Sequence, residues 1–396
     1  MKIVMLCDAF FDDLQYQENL LEKYYRKNGH EVTILASNFK NVFDYYVDDY
    51  DKNEPEYDYI SNGITRIVKR KYSLNILNKF RQIRGVKSLL FEVKPEVIFI
   101  HDIHANILDA VNYKKKNPSC KIILDYHADY SNSGKNWISI NILHKMIRNY
   151  FLKKSIKYID KIYPVVPDSM TFLNEVYGIP LHEMEILPLG VDTDLIQQVK
   201  KSDEPNKIRQ KIGIKENEIL IFTGGKISKL KNIHLIVEAV VEIANPRIHV
   251  IIVGKFDNNE LEYQEYIEKI SKGENIHFTG WVGGDEVYNY LLASDIAIFP
   301  SSQTVLYQQS LACSLALIAG EEHINAEGKS FKYNLDYLNL NKGIEIIRKG
   351  TLSKETMKNA ILDVINDLSN RKKLSKEIAD SMLDYNKIIV QTLDFK

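Results

Sequence analysis

Ile219-Leu-Ile-Phe-Thr-Gly-Gly-Lys-Ile-Ser-Lys-Leu-Lys-Asn232 is the stretch that decides the fold. An apolar run of strand length ends in Gly224-Gly225, two lysines follow, and His234–Ile243 continues at helical spacing. A continuous apolar run predicts a strand buried on both faces, hence a parallel sheet covered by helices. Glycines let backbone approach a ligand closely, a helix N-terminus offers unpaired N–H groups, and Lys226 and Lys231 add positive charge. That composition suits a diphosphate; it equally suits a plain strand–turn–helix with solvated lysines. Neither familiar phosphate loop is present. Gly328-Lys329-Ser330 has His323 where a P-loop needs glycine, and no G-x-G-x-x-G occurs.

Working outward, the same alternation recurs. Ile3–Cys7, a polar helix over 16–28 closed by Gly29, and Val32–Ala36 predict a βαβ unit. Further strand-length runs are Val97–Ile100, Ile122–Leu124 and Ile162–Val166, then Ile248–Val253, Asn275–Phe278 and Ile296–Phe299. Between the two groups, residues 192–216 are polar and charged, so the alternation pauses. The expectation is two doubly wound Rossmann-like α/β domains facing across a cleft, joined near 190–205. They are taken as 1–190 and 191–380, with a C-terminal helix over 381–396 packing back toward the first.

The 396 residues suit two domains. A net charge of −1, from 52 basic and 53 acidic residues, argues against a nucleic-acid partner. Cys7, Cys120 and Cys313 lie far apart, which predicts reduced thiols rather than a disulfide framework. No apolar run approaches the ~20 residues of a membrane span, and Ile3–Cys7 is too short for a signal peptide. A cytoplasmic protein is expected.

Two local clusters carry further chemistry. Asp125, His127 and Asp129 alternate, so in a strand they share one face, and His101 and His104 end the preceding strand. These residues suit a metal site, as in a metal-dependent hydrolase, or polar groups hydrogen-bonded at strand ends. Between Asp58 and Glu92 there is no acid but eight bases, with Ile76, Leu77, Phe80, Ile83, Val86 and Leu90 at helical spacing. Residues 66–90 therefore read as a basic amphipathic helix, either lying on an anionic membrane or presenting a solvated face above a core stripe.

In order along the chain, several segments resemble the GT-B-fold glycosyltransferases of family 4, which are retaining and use nucleotide-sugar donors. Asn28-Gly-His-Glu-Val-Thr-Ile-Leu-Ala36, Ile186-Leu-Pro-Leu-Gly-Val-Asp-Thr-Asp194, Gly225-Lys-Ile-Ser-Lys-Leu-Lys-Asn232, Phe278-Thr-Gly-Trp-Val282 and Ala293-Ser-Asp-Ile-Ala-Ile-Phe-Pro-Ser301 carry the resemblance. It implies transfer of a sugar from a nucleotide diphosphate to a glycan or lipid-linked acceptor, as in bacterial-type cell-surface polysaccharide assembly. No cofactor and no metal are expected. Gly225, Lys226 and Lys231 would hold the diphosphate, and Trp281 and Val282 would lie near the nucleobase. Thr304 and Val305 would present N–H groups beneath a Ser302 cap. Gln309 stands where the family has the second glutamate of E-x7-E, which binds ribose, and Ser301 stands at the first. Ile122-Ile-Leu-Asp-Tyr-His-Ala-Asp129 is similar to the strand ending beside the donor sugar, which makes His127 the catalytic candidate. Asp8–Asn19 replaces the usual glycine-rich loop, and Tyr16, Gln17 and Glu18 are the acceptor-side candidates. The degenerate E-x7-E motif also leaves a non-catalytic sugar-nucleotide-binding subunit open.

Overall fold

A computed structural model describes residues 1–395 except 13, 77, 78, 274, 302, 303 and 325–327. Leu77 and Ser302, invoked above, lie outside the described residues. The chain forms two compact units, Met1–Pro188 with Tyr385–Lys396, and Leu189–Asp384.

The first unit's strands are β1 (Lys2–Leu6), β2 (Glu31–Ser37), β3 (Tyr57–Ser61), β4 (Thr65–Arg70), β5 (Tyr72–Ile76), β6 (Phe80–Ile83), β7 (Val97–His101), β8 (Lys121–Tyr126) and β9 (Lys161–Pro164). Seven of them make one sheet, ordered β3-β4-β2-β1-β7-β8-β9, parallel throughout except for β3 on the edge. The second unit holds β10 (Ile219–Gly224), β11 (Ile248–Val253), β12 (Ile276–Gly280), β13 (Ile296–Phe299), β14 (Ala316–Gly320), β15 (Glu322–Ile324), β16 (Ser330–Lys332) and β17 (Ile344–Ile347). Its main sheet, β12-β11-β10-β13-β14-β17, is parallel throughout. Leaving aside the antiparallel edge, both sheets have the doubly wound order 3-2-1-4-5-6. Each therefore has a switch point between its first and fourth parallel strands, where ligands of open α/β sheets bind.

The continuous apolar runs are explained by burial on both faces. Leu220 and Phe222 pack into one core of the second unit and Ile221 into another. Val4 and Leu6, against Ile3 and Met5, divide in the same way in the first. Truncating one of these side chains to Ala costs about 2–5 kcal/mol.

The polar stretch after 192 is not a break in structure. Helices Thr193–Lys200 and Glu204–Lys211 form there, the first capped by Asp192 accepting from Leu195 N–H at 3.2 Å. Ile196 and Val199 supply a narrow apolar stripe into the core. Helix Tyr385–Leu393 belongs to the first unit: Tyr385 stacks on Tyr24 at 5.5 Å, and Tyr25 Oη lies 2.7 Å from Thr392 Oγ1.

One expectation is overturned. Residues 66–90 do not form an amphipathic helix; they contain part of β4, the β5–β6 hairpin and the start of the helix Val86–Val93, which begins after Gly85 at φ 80°. Ile76 and Phe80 face each other across the hairpin, so their spacing of four reflects cross-strand pairing. Most of the stretch's positive charge is also paired rather than free. Arg66 and Arg70 pair with Asp58, Arg84 with Glu56, and Arg81 with Asp8 at 2.7 Å and Asp48 at 2.5 Å. The buried Lys69 ammonium donates to the Phe10 carbonyl.

Candidate functional site

In the second unit the quoted loop leaves β10 at the switch point, and only glycines fit there. A Cβ on Gly254, at φ 144°, would lie 1.9 Å from the Gly225 carbonyl oxygen. One on Gly224 would lie 2.4 Å from the Val253 carbonyl oxygen. The loop is pinned by Gly225 N–H to Val253 O at 2.8 Å and Ile227 N–H to Lys255 O at 2.9 Å. A Cβ on Gly225, at φ 102°, would come within 2.8 Å of Lys231 Nζ. The half-buried Lys231 ammonium thus lies over bare backbone, with no carboxylate partner among the described residues. Burial, then the charge of Lys226, pushes its pKa down. Lys226 is exposed and pairs with Asp257 at 2.6 Å, a weak arrangement in solvent that is readily exchanged for another anion.

Across the switch point, the buried Ser301 fastens the loop to the end of β13. Its hydroxyl donates to Leu230 O at 2.6 Å and accepts from Asn232 Nδ2 at 2.9 Å. Asn232 has φ 54°, a conformation Asn tolerates better than most residues. A serine at the first glutamate's place therefore acts as a clip. Beyond it, Thr304 Oγ1 accepts from Leu306 N–H at 3.3 Å at the start of helix Leu306–Ala312, and Val305 is exposed. Gln309 is half-buried, and its side chain hydrogen-bonds the Tyr288 hydroxyl. Neighbouring Gln308 is buried with Oε1 unpartnered among the described residues. Trp281 is 73% exposed after Gly280, while Val282 packs partly against the core.

In the first unit, His101 ends β7 while Asp125 and His127 lie at the end of β8. The buried Asp125 Oδ2 lies 3.0 Å from His101 Nδ1 and 3.2 Å from His127 Nε2. Its Oδ1 accepts from Asp102 N–H at 3.3 Å. Burial works against charge on His101, but Asp125, with Glu18 and Asp102, outweighs it and raises the imidazolium pKa to about 10. Burial likewise opposes the Asp125 charge, and the two histidines outweigh it, holding the carboxyl well below its usual range. His127 is further fixed by its N–H on Asp102 Oδ1 at 3.0 Å.

The donor atoms of His101, Asp125 and His127 lie within 4.8 Å of one another, close enough to hold a metal ion. Asp129 is not part of this group. β8 ends at Tyr126, so the strand alternation does not reach it, and its Oδ1 accepts from Ser131 and Asn132 N–H at 2.7 and 3.0 Å. His104 also stands outside, half-buried, with its pKa pushed down by desolvation.

At the start of helix Gln17–Lys27, Gln17 is buried with both side-chain amide atoms unpartnered among the described residues. Glu18 is buried and its charge acts on His101. Tyr16 is exposed, its hydroxyl against that of Tyr46. Sequence reasoning missed Asp102, Gly254 and Asp257, and took Asn232 only as the last residue of the loop motif. A glycine directly after the apolar strand Ile248–Val253 was the available signal for Gly254; Asp102 and Asp257 carry none.

Two parallel sheets of order 3-2-1-4-5-6, each with functional groups at its switch point, define the two-domain architecture of GT-B glycosyltransferases. Residues 20–195 match the family model for "Glycosyltransferase Family 4", and residues 204–327 match "Glycosyl transferases group 1". The chain belongs to the family 4 GT-B glycosyltransferases. An alpha-monoglucosyldiacylglycerol synthase of Streptococcus pneumoniae is 26% identical over 36% of this chain and 34% of that protein. A lipopolysaccharide 1,2-N-acetylglucosaminetransferase of Salmonella typhimurium is 22% identical over 62% of each. The chain thus spans about a third of the first relative's length and under two thirds of the second's. Anabaena HepE, whose crystal structure is a complex with UDP, has the same fold, at TM-score 0.65 and 14% identity over 99% of this chain and 98% of that one.

Proposed function

We propose that the protein transfers a sugar, with retention, from a nucleotide-diphosphate donor to a glycan or lipid-linked acceptor, without a metal ion. The observation that carries this is Lys231, an ammonium held half-buried over glycine backbone at a switch point, unpaired among the described residues and repelled by Lys226. A diphosphate bound by both lysines relieves that repulsion and stabilises the leaving group's negative charge where other transferases use a metal. Gly225 admits the phosphates, Thr304 and Val305 contribute N–H groups, Trp281 and Val282 flank the nucleobase, and Gln309 bonds the ribose without charge assistance. His127, oriented by Asp125 and Asp102, is the catalytic group beside the donor sugar, and Tyr16, Gln17 and Glu18 face the acceptor. The names of the two curated relatives support a carbohydrate or lipid-linked acceptor in cell-surface glycan assembly.

A thermal-shift screen with UDP, GDP, ADP and CMP identifies the nucleotide, because a ligand that binds only the folded state raises apparent stability. With it, Lys226→Ala and Lys231→Ala should each raise donor KM or lower kcat; full activity in the double variant refutes the assignment. Donor binding without turnover would instead favour the sugar-nucleotide-binding subunit. Chelator-sensitive hydrolysis, with a metal in the purified protein, would favour a hydrolase at His101, Asp125 and His127.

A further inference from the structure

Residues 130–159 contain no acidic side chain and carry Lys135, Lys145, Arg148, Lys153, Lys154 and Lys157. Most of the segment is helical: Ser139–Arg148 is π-helical and Asn149–Ser155 continues as α-helix. Its inner face is fixed to the first unit. Buried His144 bonds the Tyr177 hydroxyl at 2.7 Å and Ser133 Oγ at 3.0 Å, Leu152 enters the core, and desolvation pushes the His144 pKa down to about 3, so it stays neutral. Its outer face is unusual for an exposed helix. Ile138, Ile142, Met146 and Tyr150 recur every four residues and are all exposed, with Trp137 beside them; Trp137 is 70% and Met146 66% exposed. Side chains four apart on a helix lie on one side, so these form a continuous apolar stripe.

The stripe ends at an open groove of about 470 Å3, to which Lys115, Lys153, Lys154 and Lys157 contribute together with Tyr158. No carboxylate pairs with these four lysines among the described residues, unlike Arg66, Arg70, Lys79, Arg81 and Arg84 of the earlier basic stretch. Lys154 Nζ lies 4.1 Å from the Tyr150 ring centroid, where apolar stripe and basic groove meet.

We infer that residues 137–157 dock the protein on an anionic membrane surface, with Trp137, Ile138, Ile142 and Met146 entering the headgroup–acyl boundary and the four-lysine groove receiving lipid phosphates. Charge selects this occupant. An apolar stripe alone would suit a second copy of the chain. A stripe flanked by unpaired ammonium groups, with Trp and Tyr at its borders, matches the interfacial pattern of an in-plane amphipathic helix. The inference does not rest on the transfer reaction, because it is read out by vesicle binding alone.

The test is co-sedimentation of the full chain with vesicles of phosphatidylcholine, or phosphatidylcholine with 30 mol% phosphatidylglycerol. Binding is expected to the anionic vesicles, at least tenfold above the neutral ones, and to fall in 0.5 M salt. Ile138→Ser/Met146→Ser should weaken it about tenfold or more. Lys153→Gln/Lys157→Gln should weaken it roughly 30-fold, from about 1 kcal/mol per lysine near the surface. All four positions are exposed, so folding is expected to be unchanged, checked by far-UV circular dichroism. Lys79→Gln/Lys87→Gln, in the earlier basic stretch, should bind as the parent does. Equal binding to neutral and anionic vesicles, unimpaired binding by either variant in 137–157, or loss only in the 79/87 variant overturns the inference. So does a dimer dispersed by Ile138→Ser/Met146→Ser with no vesicle binding.

Discussion

Asp125→Asn removes the one carboxylate that joins His101 to His127. The wild-type oxygen lies 3.0 and 3.2 Å from the two rings and is fully buried, while the rings are 21% and 26% exposed. The rise of the His101 pKa from 6.5 to about 10 corresponds to roughly 5 kcal/mol of linkage, at about 1.4 kcal/mol per tenfold. Breaking a buried pair by deleting one partner costs about 3–5 kcal/mol, and the Asn carbonyl recovers ~1 as a neutral acceptor. A loss of about 2–4 kcal/mol is therefore expected near pH 6. The sign with pH follows from the folded values. His101 is raised, so its contribution is complete below pH ~6.5 and fades as pH climbs through about 10. Asp125 is depressed, so its contribution is present above pH ~4 and is lost in acid as pH falls through its folded value. Urea unfolding of both proteins at pH 6 and pH 10, followed by circular dichroism, should show a gap that shrinks to ~1 kcal/mol at pH 10. NMR titration of the histidines locates the His101 pKa directly. A gap below 1 kcal/mol at pH 6, or one equal at both pH values, refutes the charge-pair reasoning.

Two further outcomes test the second unit. Gly254→Ala puts a methyl 1.9 Å from a backbone carbonyl at a φ of 144°, so it should cost about 3 kcal/mol and displace the lysine loop; a Tm within 2 °C of wild type would show that the loop is not packed as described. Ser301→Ala unfastens Asn232 and Leu230 and should cost about 1–2 kcal/mol while weakening nucleotide binding, measured by calorimetry; unchanged affinity would mean the clip does not shape the donor loop.

The strands were legible because a parallel sheet buried on both faces demands uninterrupted apolar runs, and Ile248–Val253 and Ile296–Phe299 were read to the residue. The hairpin was not, because Ile76 and Phe80, four apart and paired across a tight turn, imitate helical spacing. Charge counting failed there for a related reason: the acids that neutralise Arg66, Arg81 and Arg84 are Asp58, Asp8, Asp48 and Glu56, all outside the acid-free window. The site was legible where chain neighbours build it, as at Gly225 and Lys231. It was hidden where separate segments meet, as Ser301 meets Asn232 and His101 meets Asp125.

The two switch points share a strand order yet carry opposite charge, and under the proposed function that contrast suits them to different work. In the second unit two lysines gather at the end of β10 with one half-buried carboxylate, Asp257, as counterion. A doubly or triply charged diphosphate is attracted there, and its departure with extra negative charge is favoured. In the first unit Asp125, Asp102 and Glu18 surround His101, so the field favours protons and cations and disfavours phosphate. On the proposed function, a neutral hydroxyl acceptor suits that field. Moving the lysine chemistry to the first unit would leave the Asp125 pair to repel the donor, so the division follows from electrostatics rather than from which sheet is larger.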